Sequence, residues 1–227
     1  MQSASSPGRE KIAVIIPAYC EEKHIGEVVL RTRGQLDHVL VVDDGSSDQT
    51  ALRARKAGAE VIVHPQNRGK GETIKTGLRY WFDRPIDFVI ILDADGQHRP
   101  EEIDRFVAAT AQSKFLVGNR MNDVSRMPLV RRLVNRYMSN RISRVCGQRI
   151  PDTQCGFRML HRELIPDMLG GAQRFDYETE MLIFASRKGY RIDSVSISTV
   201  YSDEVSSIHP VRDTLRFFKL MKRYRKM

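Results

Sequence analysis

Phe88-Val89-Ile90-Ile91-Leu92-Asp93-Ala94-Asp95-Gly96-Gln97-His98 is the stretch that decides the fold. Five apolar residues in a row, three of them β-branched, read as a strand buried on both faces. Two carboxylates one residue apart then follow, with a glycine behind them. Packing gives no reason for acids there. In open α/β sheets ligands collect at the carboxyl ends of strands. Two hard oxygen donors in that place suit Mg²⁺ or Mn²⁺ bound to a diphosphate.

Working outward, the preceding chain alternates strand and helix patterns. Ile12–Ile16 reads as a strand ending at Pro17, and 21–33 as a helix. His38–Val42 is a strand that ends at Asp43-Asp44-Gly45-Ser46, and 47–57 a helix with Ser46 or Ser47 as N-cap. Glu60–Val63 is a short strand, and 71–82 a helix. Residues 87–92 form the deciding strand, and 100–112 a helix opened by Pro100 and by acids in its first turn. Phe115–Val117 is a strand. Such alternation predicts an α/β fold with a mostly parallel sheet flanked by helices.

The second half is different. Residues 128–145 read as a long, arginine-rich amphipathic helix, followed by a loop at 147–156. Residues 158–161 are a short strand, 176–188 a helix, 192–200 a strand and 210–225 a basic amphipathic closing helix. No linker separates two units. We expect a flexible tail over 1–10 and one domain over 11–227 in two halves, 11–120 and 121–227, the second being the acceptor side.

The 227 residues are 41% hydrophobic and 29% charged, enough for one substantial core. No apolar run approaches the roughly 18 residues that cross a bilayer. The net charge of +9 is concentrated. Arg126, Arg131, Arg132, Arg136, Arg141, Arg144 and Arg149 lie in a stretch without an acid. The charged residues from Val211 onward are basic apart from Asp213. Such clusters seek phosphates, whether of lipid headgroups, substrates or nucleic acid. Nucleic-acid binding is rejected, because it leaves the paired carboxylates unexplained. Cys20, Cys146 and Cys155 share no metal or disulfide spacing, and a cytoplasmic setting is expected.

Four blocks together resemble family-2 glycosyltransferases. They are Ile15-Ile16-Pro17-Ala18-Tyr19-x-Glu21, Val41-Val42-Asp43-Asp44-Gly45-Ser46-x-Asp48-x-Thr50, Asn67-Arg68-Gly69-Lys70-Gly71 and Asp93-Ala94-Asp95-Gly96-Gln97-His98-x-Pro100. Gly118-Asn119-Arg120, Asp152-Thr153-Gln154-Cys155-Gly156-Phe157-Arg158 and Glu178-Thr179-Glu180 are similar to the dolichol/polyprenol-phosphate mannosyltransferase branch. The resemblance spans 11 to about 213. It implies a GT-A fold, a nucleotide-sugar donor, a divalent metal and an inverting reaction. Two departures stand beside functional blocks: Cys20 where many relatives carry Asn, and Glu72 where they carry a small residue.

By that resemblance, Pro17, Tyr19, Glu21, Asp44, Lys70, Asp93, Asp95 and Gln97 bind the donor, with Asp44 accepting bonds from base or ribose. Asp93, Asp95 and Gln97 surround the Mg²⁺ or Mn²⁺. The 67–71 loop opens a helix, and its N–H groups and cations suit an anion. Arg120 is similar to the family's phosphate-contacting arginine. Arg131, Arg132 and Arg136 are candidates for the acceptor phosphate, Arg132 and Arg136 sharing one helix face. Asp152 orients the sugar or an arginine, or acts as base if the acceptor is a hydroxyl. Glu178 or Glu180 contacts the sugar or caps a helix. The expected catalytic set is Asp95, Arg120 and Asp152.

The expected reaction moves a hexose, with mannose from GDP-mannose favoured, to a polyprenyl phosphate. A UDP-sugar donor or a hydroxyl acceptor is the alternative. The basic helices are expected to meet a membrane surface, giving a peripheral enzyme on the cytoplasmic face. The closing helix either does this or docks on the protein body.

Overall fold

The computed structural model describes residues 7–125, 127–170 and 176–198. Among them, seven strands form one sheet. They are β1 (Ile12–Ala18), β2 (His38–Asp43), β3 (Glu60–Val63), β4 (Phe88–Ile91), β5 (Phe115–Asn119), β6 (Arg158–His161) and β7 (Ile192–Ser196). Their order is β3-β2-β1-β4-β6-β5-β7. The helices are α1 (Ile25–Arg33), α2 (Thr50–Lys56), α3 (Lys70–Phe82), α4 (Ile103–Ala109), α5 (Leu129–Cys146), α6 (Ile165–Met168) and α7 (Asp176–Arg187).

The sheet is parallel except at β6, which runs antiparallel to both β4 and β5. That exception positions the site. The crossover through α4 sets β5 down one strand-width away from β4, and β6 fills the gap from the opposite direction. An antiparallel strand begins where its parallel neighbours end. The loop before β6 therefore lies at the same sheet edge as the acids after β4 and the residues after β5.

Burial follows from this topology. All seven residues of β1 and all four of β4 are buried, as central strands of a covered sheet must be. Helix α3 lies close on β1. A Cβ at Gly77 would come within 2.6 Å of Ile15 Cγ2, so glycine sets that approach.

The expected elements are found, with shifted ends. Strand β1 runs through Pro17, which pairs with Val42 of β2. β4 pairs with β1 only as far as Ile15, so the missing proline N–H lies beyond that ladder. Helix α1 starts at Ile25 rather than at 21, after a turn closed by Glu21 O. Helix α2 starts at Thr50, and Asp48, not Ser46 or Ser47, bonds the Thr50 N–H (3.0 Å). Ser46 Oγ instead accepts from Cys20 N (2.9 Å). The helix expected over 100–112 is a 3₁₀ turn at Pro100–Glu102 followed by α4. Helix α6 was not expected. Within the tail expected to be flexible, Arg9 bonds Gln35 O (2.9 Å) and Asp104 (2.7 Å). The end of the 192–200 strand and the 210–225 helix fall outside the described residues.

Candidate functional site

The acids after β2 and β4 and the N-terminus of α3 meet at one edge of the sheet. Pro17, the penultimate residue of β1, is buried there, Tyr19 is exposed, and Glu21 is half-buried with its N–H bonded to Thr50 Oγ1 (2.8 Å). Cys20 sits between them with φ of 55°, in the left-handed region. Asn tolerates that conformation better than most non-glycine residues.

Asp43 and Asp44 are both buried. Asp43 Oδ1 accepts from Ser46 N (2.8 Å) and fixes the turn. Asp44 was expected to face base or ribose. It accepts from the backbone N–H groups of Arg68 (2.9 Å) and Gly69 (2.7 Å), and its Oδ1 lies 2.8 Å from His64 Nδ1. His64 Nε2 in turn meets Thr76 Oγ1 (3.0 Å) on α3. The anion held by these N–H groups of the glycine loop is thus the protein's own Asp44. A buried carboxylate must find donors, and the loop supplies them. His64 was missed in the sequence. Its signal was its place directly after β3, beside the end of β2.

Lys70, the first residue of α3, lies between two acids, with Nζ 2.7 Å from Asp93 Oδ1 and 3.0 Å from Glu178 Oε2. Burial pulls the Lys70 pKa down, but Asp93 and Glu178 outweigh it and hold it above the ordinary lysine value. Burial likewise pushes Asp93 up, and Lys70 and His98 outweigh that, leaving Asp93 well below the usual carboxylate range. His98 is buried, with Nε2 3.6 Å from Asp93 Oδ2. His98 Nδ1 and Glu178 Oε1 are buried polar atoms without a hydrogen-bond partner.

Asp95 differs. Its Oδ1 accepts from Gln97 N (2.9 Å), and no cation stands within ion-pair distance among the described residues. Burial and the charge of Asp93 raise its pKa. Gln97 is half-buried. Among the described residues no three His, Cys, Asp or Glu side chains form a metal-binding group.

The loop before β6 joins this edge to Arg120. Gly156 packs against Asp93 so closely that a Cβ there would fall 2.1 Å from Asp93 Oδ2. Four residues earlier, Asp152 makes a two-pronged pair with Arg120: Nε to Oδ2 at 2.7 Å and Nη2 to Oδ1 at 3.0 Å. Asp152 also accepts from the backbone N of Arg120 (3.2 Å) and Gln154 (3.2 Å) and from Asn135 Nδ2 (2.9 Å) of α5. Burial pushes its pKa up, and Arg120 draws it further down, for a net lowering.

Ser139 lies one turn on from Asn135. It accepts from Thr153 N (3.0 Å) and its hydroxyl meets Thr153 Oγ1 (3.1 Å). Arg158, fully buried, donates to the carbonyls of Thr153 (3.1 Å), Cys155 (2.9 Å) and Glu178, tying the loop to α7. Sequence reading missed Asn135, Gly156 and Arg158 as organisers of the site, because nothing local marks them.

Arg131 is half-buried, and Arg132 and Arg136 are exposed on α5. No hydrogen bond or ion pair joins these three to Arg120 or Asp152. Glu72 is buried and lies 3.1 Å from Arg79 Nη1 and 3.5 Å from Arg68 Nη2, which explains a charged residue at that departure.

Comparison with known proteins agrees with the geometry. An uncharacterized protein of Methanocaldococcus jannaschii is 32% identical over 203 residues, 86% of this chain and 84% of that one. The UDP-N-acetylglucosamine–dolichyl-phosphate N-acetylglucosaminyltransferase of Methanococcus voltae is 30% identical over 217 residues, 85% of this chain and 86% of its own. A crystal structure of glucosyl-3-phosphoglycerate synthase from Mycobacterium tuberculosis, in complex with Mn²⁺, UDP and phosphoglyceric acid, superposes with a TM-score of 0.73. It covers 95% of this chain and 77% of that one at 19% identity, a likeness of GT-A fold. The family model described as "Glycosyl transferase family 2" matches residues 13–169, and the chain belongs to that family.

Proposed function

We propose that this glycosyltransferase moves a sugar from a nucleoside diphosphate sugar to a polyprenyl phosphate, with inversion. One observation carries the reading. The loop before β6 faces two ways: Gly156 seats Asp93 at the acidic edge, and Asp152 aims Arg120. Donor and acceptor groups are held at one sheet edge by one loop.

Pro17, Tyr19 and Glu21 border the donor. Asp44 acts on it through the glycine loop that it holds. Lys70 neutralises diphosphate charge, and Asp93, with Glu178 beside it, addresses the sugar. The residues fit a divalent cation: Asp95 has one carboxylate oxygen unspent, and burial together with the charge of Asp93 raises its pKa. Asp95, with Asp93 and Gln97, would hold Mg²⁺ or Mn²⁺, which supplies charge neutralisation for the leaving diphosphate. The M. tuberculosis neighbour, solved with Mn²⁺ and UDP, supports this assignment.

The acceptor oxygen attacks the sugar carbon as its bond to the diphosphate breaks. A phosphate monoester has a second pKa near about 6, so near pH 7 it needs positioning more than deprotonation. Arg120 can supply that, its fork held by Asp152. Asp152 is a poor base, being buried, paired and lowered in pKa. This favours a lipid phosphate over the hydroxyl acceptor of the alternative. Arg131, Arg132 and Arg136 add positive charge near the acceptor.

For the donor, the branch resemblance favoured GDP-mannose. The M. voltae relative is named for UDP-N-acetylglucosamine and dolichyl phosphate, so we place a UDP-sugar first. We take the chain as one domain over 11–227, working at the cytoplasmic face of the membrane that holds its acceptor. No helix among the described residues is long and apolar enough to cross a membrane.

Thermal shifts with UDP-, GDP- and dTDP-sugars and Mn²⁺ test the donor, because a bound ligand stabilises the native state by mass action. Transfer of labelled sugar to polyprenyl phosphate tests the reaction. A UDP-sugar should give the largest shift. No shift and no transfer with any donor would refute the reading, and equal transfer to a sugar alcohol would restore the hydroxyl alternative.

A further inference from the structure

The first half of helix α5 carries its apolar side chains outward, the wrong sense for a helix in water. Leu129, Val130, Leu133, Val134 and Tyr137 are between 48% and 75% exposed. At about 100° per residue they fall on one arc. The opposite arc carries Asn135, Ser139 and Ile142, which are buried. Over the first half of the helix the buried side chain is the polar Asn135, followed by Ser139, while the outward arc is apolar; toward its C-terminus the helix packs Met138, Ile142, Val145 and Cys146 on the core. Those five residues make up most of the large apolar side chains exposed among the described residues, and soluble surfaces rarely concentrate them so.

Arg132 and Arg136 lie together along one edge of the apolar arc, both exposed, and no acid occurs on the helix. Apolar side chains bordered by guanidinium groups complement a bilayer with anionic headgroups. The chains enter the acyl boundary while the cations stay at the phosphates. A protein partner would need a basic-avoiding apolar groove, and nothing on this helix selects one. We infer that the outer face of α5 seats the enzyme on an anionic lipid bilayer. The inner face, through Asn135 and Asp152, then holds Arg120 at a fixed height above that surface. This deepens the proposed function by naming the surface from which the lipid acceptor is reached.

The test uses the full chain and vesicles of phosphatidylcholine with or without phosphatidylglycerol, lacking polyprenyl phosphate and nucleotide sugar. Its result therefore stands whatever becomes of the transferase reading. The wild type should sediment with the anionic vesicles. A Leu129→Ser/Val130→Ser/Leu133→Ser variant should bind at least about tenfold more weakly, with an unchanged melting temperature, because these residues are exposed. In a Tyr137→Trp variant, the new indole should shift blue on vesicle addition and be quenched by brominated lipid. The triple variant should keep transfer to a short, water-soluble prenyl phosphate and lose it to vesicle-embedded acceptor.

Absence of wild-type binding, or full binding by the triple variant, would overturn the inference. So would an indole already blue and beyond the quencher, the sign that segment 199–227 or a second copy covers the face; light scattering separates those two. Loss of transfer to the soluble acceptor in the triple variant would also overturn it.

Discussion

Replacing Gly156 with alanine asks whether Asp93 is seated by shape. The backbone there is outside the left-handed region, so alanine meets no conformational penalty. The obstacle is Asp93. The added methyl would lie 2.1 Å from Oδ2 and 2.7 Å from both Cγ and Oδ1, where real Cβ contacts essentially never fall below 3.0 Å. The carboxylate must retreat by about 1 Å. It then leaves the 2.7 Å contact with Lys70 Nζ. Overpacking of this kind costs about 1–3 kcal/mol. A misplacement of that size at a reacting centre costs about 100-fold in rate. Unfolding in urea measures the first and labelled-sugar transfer the second. Asp93→Ala removes the carboxylate, so the methyl then has room. In a double-mutant cycle, Gly156→Ala should therefore cost at least about 1 kcal/mol less in the Asp93→Ala background. Additivity of the two changes, or unimpaired transfer by Gly156→Ala, would refute the reasoning.

Three further outcomes are expected. Asp95 carries a raised pKa, so its ionisation costs folded-state stability as pH rises through and above the ordinary carboxyl range. Asp95→Asn should accordingly melt no lower than wild type near pH 7 without ligand, while losing its Mn²⁺-dependent shift with sugar nucleotide and at least about 100-fold in transfer; a lower melting temperature would contradict the first half. Asp152 has a lowered pKa, so its stabilisation is complete above the ordinary value of about 3.9 and is lost as pH falls through the lower folded value. Asp152→Asn should cost about 3–5 kcal/mol near neutrality and shrink that acid limb, since Arg120 loses its buried partner; an unaltered urea midpoint would rule the pair out as a structural element. Cys20→Asn should gain up to about 1 kcal/mol by relieving left-handed strain at φ 55°, read from the urea midpoint against wild type.

What the sequence made legible was what repeats along the chain. Buried runs such as Phe88–Ile91 and the alternation around them mark strands and helices, and acids at strand ends mark the edge where ligands gather. What it hid was long-range. Arg158 reads as one more arginine of a basic half, yet it is fully buried among carbonyls from two segments. Asn135 lies 17 residues from the Asp152 that it orients, and its helix turns that polar side chain and Ser139 inward while Leu129, Val130, Leu133, Val134 and Tyr137 carry apolar side chains outward. The role of Gly156 depends on Asp93, far away in sequence and adjacent only because β6 runs against its neighbours. Asp44 shows what a motif does not reveal. An acid and a glycine loop each look ready for a ligand, but across strands they satisfy each other.

That mutual satisfaction bears on how the site receives an anion. With the Arg68 and Gly69 N–H groups spent on Asp44, the loop enters binding already ordered, and no entropy is lost in shaping it. The charge left to meet a diphosphate then belongs chiefly to Lys70, which Asp93 and Glu178 hold in place. A lysine between two acids cannot favour an anion strongly by itself, because its field is largely cancelled at a distance. Asp95, unpaired and adjacent, adds negative charge and makes the edge hostile to a bare diphosphate. The same arrangement welcomes a diphosphate that arrives with a divalent cation. On the proposed reading, selectivity for a metal-bound donor follows from leaving Asp95 without a counter-ion among the described residues while giving Asp93 one.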